Sequence, residues 1–239
     1  MNGANAISPS LVYVGDPMCS WCYGFGLELS EALAQRPGVR LEIVTGGLRA
    51  GGTEVLDDVG KRFRLFHWAK VEAATGLPFN RDALMARQGF VYDTEPACRA
   101  VVAARIAAPT ANLLTVFRAI QNAFYVEGLD TTAKEVLVRV VTQALQAQGF
   151  AAEGLEGVFE AQTTRQAAHD DFAQARRWGI SSFPALLVRQ SGLVTQLVDG
   201  FAKTPTLVAA IDRWADQMRT GLGPVMALLH KPTAASEHE

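Results

Sequence analysis

Asp16-Pro17-Met18-Cys19-Ser20-Trp21-Cys22-Tyr23-Gly24-Phe25 is the stretch from which the rest of the chain is read. Before it, Leu11-Val12-Tyr13-Val14 is β-branched or aromatic and is stopped by Gly15-Asp16-Pro17, which predicts a strand. After it, Leu27, Leu29, Leu33 and Ala34 recur among polar residues until Arg36-Pro37-Gly38, which predicts a helix. A strand-loop-helix with Cys-x-x-Cys at the helix start puts Cys19 where first-turn N–H groups point, and the positive end of the helix dipole favours a thiolate there. Cys22 sits one turn in, near enough to close a short disulfide with Cys19. Such a pair can attack a disulfide through Cys19 and resolve the mixed disulfide through Cys22.

Two blander readings compete. Cys-x-x-Cys is also half of a zinc site, but a structural zinc needs four ligands. One other cysteine exists, Cys98, and His67, His169, His230 and His238 show no paired spacing, so the expectation is no metal. Two unrelated core cysteines would not be flanked by the loop chemistry of Asp16-Pro17 and Gly24.

With 239 residues, 49% of them hydrophobic and 19% charged, the chain has the material of an ordinary globular core. A net charge of −2 without any Lys/Arg run argues against a nucleic-acid surface, and no apolar run reaches membrane-spanning length. Residues 1–10 carry neither a basic n-region nor a long apolar stretch. Three cysteines make no disulfide framework, so a cytoplasmic, reducing setting and a reactive rather than structural pair are expected.

Further along, Val39-Arg40-Leu41-Glu42-Ile43-Val44 reads as a second strand, parallel to the first across a right-handed crossover. From Thr53 to Gly179 the periods are helical. Leu56, Val59, Phe63 and Phe66 mark the apolar face of the first helix there, and a short helix covers Arg81 to Arg87. The next begins at Thr94-Glu95-Pro96, and another carries Leu113, Val116, Phe117, Ile120 and Phe124. Thr132 to Glu135 reads as a capping box, and Thr163 with Gln166 as the cap of the last helix of the block. Pro184 to Arg189 and Leu193 to Val198 flank Ser191-Gly192 as a hairpin, Thr204-Pro205 opens a final helix, and residues 231–239 form a polar, disordered tail. The order is βαβ, helices, ββα: an α/β chain with the thioredoxin scaffold on a mixed sheet, interrupted by an all-helical insertion. Its boundaries are residues 9–50 and 179–223 for the discontinuous scaffold and 51–178 for the insertion.

Ser181-Ser182-Phe183-Pro184 opens the third strand. Pro184 fits a strand's first residue, and a cis bond to Phe183 would turn it toward the Cys-x-x-Cys loop. The Phe183 backbone would then be open to pair with an extended substrate. Ser182, Phe183 and Trp21 are the candidate substrate-binding residues, with Trp21, Tyr23 and Phe25 as an apolar rim. Cys98 is either a reactive third thiol in a helix's first turn or, more commonly, a buried cysteine. His67-Trp68 either borders the site or is a partly buried surface pair. Asp16 is a proton acceptor near Cys22 or, more safely, a turn residue before Pro17.

The segment from Asp16 to Phe25, Gly46-Gly47-Leu48-Arg49, Glu95-Pro96-Ala97-Cys98, Phe124 to Gly128 and Gly179 to Pro184 together resemble the DsbA-like thioredoxin family. Within it they are most similar to the bacterial cytoplasmic FrnE-type branch of predicted dithiol-disulfide isomerases. The resemblance implies Cys19 as attacking thiol, Cys22 as resolving thiol and Pro184 as the cis-proline. It implies disulfide-bearing proteins or small molecules as substrates and no tightly bound cofactor. Ser20-Trp21 stands where the periplasmic oxidant has Pro-His; indole cannot stabilise a thiolate by charge, so a weaker oxidant with a less acidic Cys19 is expected. Kappa-class glutathione transferases and chromene-carboxylate isomerases share the scaffold but use serine. Both cysteines here argue against those chemistries while leaving glutathione as a candidate reductant. A redox-inert peptide-binding adaptor is the competing class, although an adaptor needs no second thiol at resolving distance.

Overall fold

The structure, a computed structural model, describes residues 9–220. The tail read at 231–239 and the scaffold's end at 223 lie outside the described residues. Strand β1 (Ser10–Gly15) leads to helix α1 (Ser20–Ala34) and strand β2 (Leu41–Thr45). Seven helices follow: α2 (Asp58–Thr75), α3 (Arg81–Ala86), α4 (Glu95–Ala107), α5 (Leu113–Tyr125), α6 (Lys134–Gln146), α7 (Leu155–Glu160) and α8 (Gln162–Arg177). The chain then completes the sheet with β3 (Ala185–Gln190) and β4 (Leu193–Asp199) and ends in α9 (Thr204–Thr220).

The sheet order is β2-β1-β3-β4, with β1 parallel to β2 and antiparallel to β3. This is the mixed sheet of a thioredoxin-like fold. A strand alternates its side chains, and β1 is covered on both faces, which is why its residues are apolar without a break. Leu11 and Tyr13 join Leu29, Ile43, Leu186, Leu207 and Ile211 on the face carrying α1 and α9. Val12 and Val14 join Val44, Ala185, Leu187 and Ala175 of α8 on the other. The β3–β4 turn has Ser191 at φ 49° and Gly192 at φ 81°, the two left-handed residues that a two-residue hairpin with native twist requires.

The inserted helices share the sheet's core. The Phe117 ring of α5 lies 5.3 Å, edge-on, from Tyr13, and Phe25 of α1 lies 5.4 Å from the same ring. The insertion also closes the open edge of β2. Arg105 Nη1 donates to the Ile43 carbonyl at 2.8 Å, and the Thr45 N–H donates to Asp171 Oδ2 at 3.0 Å. Arg105 and Asp171 grip each other through two 3.0 Å bonds. Edge groups that would otherwise recruit another strand are thus held by side chains.

Several local expectations are corrected. On α2, Val59, Phe63 and Phe66 lie outward, while Trp68 and Val71 are buried and Lys61 tucks its ammonium against the Met85 and Arg87 carbonyls. The spacing identified an apolar stripe, but the covered face is the other one. The capping box at Thr132 does not form: its hydroxyl donates to Asp130, and α6 starts after Ala133 without a side-chain cap. Helix α8 likewise starts after Ala161, with Thr163 already inside it, and the six-residue α7 was not foreseen.

Candidate active site

The site forms where β1 hands over to α1. Cys19 is the N-cap residue of α1, with extended backbone angles (φ −87°, ψ 122°), and its carbonyl accepts the Tyr23 N–H at 3.0 Å. As N-cap it stands at the end of the helix where first-turn N–H groups are exposed and the dipole is positive, although its side chain makes no capping bond. Cys22 is one turn further and fully buried, with the Asp16 N–H 3.5 Å from its sulfur. None of the three cysteines is joined in a disulfide in this structure.

Asp16 fastens the loop. One carboxylate oxygen accepts the Met18 N–H at 2.8 Å, and the other accepts the Leu48 N–H at 2.7 Å. Tyr92 donates to the Met18 carbonyl at 2.6 Å from the opposite side. Burial pushes the Asp16 carboxyl up from its ordinary value against the pull of these bonds. Cys98 donates to Asp16 Oδ2 at 3.4 Å; burial, and then the Asp16 charge, pushes this thiol well above the ordinary range. Cys98 is the buried alternative, remote from solvent. Asp16 is the turn residue, a buried acid whose carboxylate bonds Met18, Leu48 and Cys98 and whose backbone N–H meets Cys22.

Across the top of the sheet, the Phe183–Pro184 bond is cis, and the Phe183 carbonyl lies 3.7 Å from Cys19 Sγ. Cys19, Cys22, Phe183 and Pro184 are therefore brought together. Ser182 is exposed on the same turn. Trp21 is half-buried, its ring 5.4 Å from Phe201. The expected apolar rim shrinks to Trp21, because Phe25 is fully buried and Tyr23 stacks at 4.8 Å on Tyr125. Cys19 opens onto a cleft walled by Phe63, Arg64, His67 and Trp68 of α2, with Leu48 and Arg49 from the loop after β2. The pair His67-Trp68 does border the site, with Trp68 buried rather than at the surface.

Sequence reading singled out neither Tyr92 nor Arg64, and gave Arg49 no role of its own although Gly46-Gly47-Leu48-Arg49 is one of the stretches that carry the family resemblance; the fold brings all three to Cys19. Among the described residues, no three His, Cys, Asp or Glu side chains gather as a metal site, and no helix is long and apolar enough to cross a membrane.

This geometry is that of a dithiol oxidoreductase domain, and comparison with known proteins agrees. The chain belongs to the DSBA-like thioredoxin domain family, whose sequence model matches residues 11–212. A provisionally assigned protein disulfide isomerase from Nitrosomonas europaea is 32% identical; the match covers 87% of this chain and 98% of that one, with a TM-score of 0.77. Cytosolic disulfide reductase DsbM from Pseudomonas aeruginosa is 25% identical over 89% of this chain and 98% of its own, with a TM-score of 0.67. DsbM has also been solved with GSH. A search of curated proteins gave no match.

Proposed function

We propose that this protein reduces or isomerises disulfides in proteins or small thiol compounds, in the cytoplasm, with glutathione as reductant and no tightly bound cofactor. The observation that carries the reading is the position of Cys19: at the N-cap of α1, one turn from Cys22, with its sulfur 3.7 Å from the Phe183 carbonyl. The Cys19 thiolate attacks a substrate disulfide, forming one S–S bond to Cys19 and releasing a substrate thiolate. Cys22, once deprotonated, attacks Cys19 Sγ; the mixed disulfide breaks, the second substrate thiolate leaves, and two electrons have passed to substrate. Two incoming thiols reverse these steps on the protein. Pro184 and Ser182 frame the substrate strand, the Phe183 backbone pairs with it, and Trp21 offers an apolar contact. The exposed Phe63, which walls the cleft, suits a polypeptide substrate. Glutathione and the cytoplasm are supported by the likeness to DsbM, described as cytosolic and solved with GSH.

The test is insulin reduction with glutathione as electron source. Wild type should accelerate precipitation of the insulin B chain, and Cys19→Ser should fall to the uncatalysed rate. Equal rates for the two proteins would remove the reading.

A further inference from the structure

One step of the exchange just proposed puts a negative charge on a buried sulfur. When a thiolate reduces the Cys19–Cys22 disulfide, Cys22 must leave as an anion, and Cys22 is fully buried. Water does not reach it, and an uncompensated charge there is costly. The Asp16 N–H donates to its sulfur at 3.5 Å, an ordinary length for a sulfur acceptor, and a single backbone bond leaves much of that charge unmet.

Tyr13 lies close to the start of the motif. Its side chain is wholly buried on β1, with the ring held between Phe25 and Phe117 at 5.4 and 5.3 Å. The ring reaches forward over Gly15, where a Cβ would stand 2.6 Å from the hydroxyl. That brings the phenol to the residue adjoining Asp16. Among the described residues the hydroxyl has no partner in full hydrogen-bond geometry. Cys22, Cys19 and Asp16 are its ionisable neighbours. A buried hydroxyl is ordinarily bonded, so one that is unpartnered beside a reacting sulfur points to a bond made at another stage of the reaction.

We infer that Tyr13 is a catalytic hydrogen-bond donor that holds the Cys22 thiolate as it leaves and returns. The inference rests on the dithiol chemistry proposed above. In the balanced step, an external thiolate forms an S–S bond to Cys19, the Cys19–Cys22 bond breaks, and the electron pair goes to Cys22 Sγ, which accepts the Tyr13 O–H. No proton need be transferred. Burial, and next the neighbouring Cys22, push the Tyr13 hydroxyl well above its ordinary value of 10.0. It therefore keeps its proton at working pH and acts as donor rather than base.

Tyr13→Phe removes one oxygen and leaves the ring packing in place, so the fold should survive. The readout is stopped-flow reduction of the oxidised protein by dithiothreitol, alongside attack of the reduced protein on dithiobis(nitrobenzoate) in a Cys22→Ser background. Bonds to charged acceptors are strong, and about half the charge has developed at the transition state, so Tyr13→Phe should slow reduction by about tenfold. Attack by Cys19 in the Cys22→Ser background should stay within about twofold, because Cys22 takes no part. Unchanged reduction, or equal slowing in both arms, would overturn the donor role while leaving the dithiol reading intact. A wild-type protein inert in both arms would remove that reading and the donor with it.

Discussion

Gly46→Ala should report directly on how the sheet supports the cleft. Gly46 follows β2, its N–H bonded to the Gly15 carbonyl at 2.8 Å. A Cβ there would stand 2.4, 2.5 and 2.8 Å from three carbons of the Phe183 ring. Carbon atoms pack at about 3.5–4.0 Å, so the ring must retreat by about 1 Å. Overpacking of this kind costs about 1–3 kcal/mol, and each kcal/mol lowers the melting temperature of a chain this size by about 2–4 °C. The three nearest atoms all belong to the Phe183 ring, so Phe183→Ala in the same chain should relieve the clash. Urea unfolding of wild type, each single variant and the double variant forms a closed cycle. The expected coupling is about 1–2 kcal/mol in favour of the double variant. Additivity within about 0.3 kcal/mol, or a Gly46→Ala protein as stable as wild type, would refute the packing described for Phe183.

Two other outcomes follow from the buried polar contacts. Asp171→Ala strips the Thr45 N–H and Arg105 of their acceptor and should cost about 2–4 kcal/mol by urea unfolding, with Asp171→Asn in between; a loss below about 0.5 kcal/mol would contradict the edge closure. Burial raises the Glu28 carboxyl, but bonds from the Thr204 hydroxyl and N–H (both 2.7 Å) and from Lys203 (2.9 Å) prevail and hold it below its ordinary 4.5. A depressed acid stabilises the fold above its unfolded value and loses that contribution as pH falls through its folded value. Wild type should therefore lose more stability than Glu28→Gln between about pH 5 and pH 3, and parallel pH profiles would count against this linkage.

The scaffold is legible because its signals are local. Leu11 to Val14, the Ser191-Gly192 turn and the Cys-x-x-Cys at a helix start each follow from neighbouring residues, and the structure matches them closely. The inserted helices are visible by period, but their orientation is not. Val59, Phe63 and Phe66 have helical spacing whether they face a core or a cleft, and only tertiary packing selected Trp68 and Val71 for burial. Thr132 is not the cap because α6 starts one residue later than the box requires, with Ala133 at the capping position, while Thr132 turns its N–H and hydroxyl back to Asp130. Within the site, the dithiol and Phe183-Pro184 are readable as motifs. Tyr92 and Arg64 are not, since each is brought to Cys19 by chain that carries no local mark of it.

The central claim is that Cys19, and neither Cys22 nor Cys98, carries the covalent intermediate. The direct measurement is peptide-mapped mass spectrometry of Cys22→Ser after reaction with oxidised glutathione. The account predicts a single glutathione adduct on Cys19 and an unmodified Cys98, whose thiol is buried and held protonated. An adduct on Cys98, or none on Cys19, would contradict it.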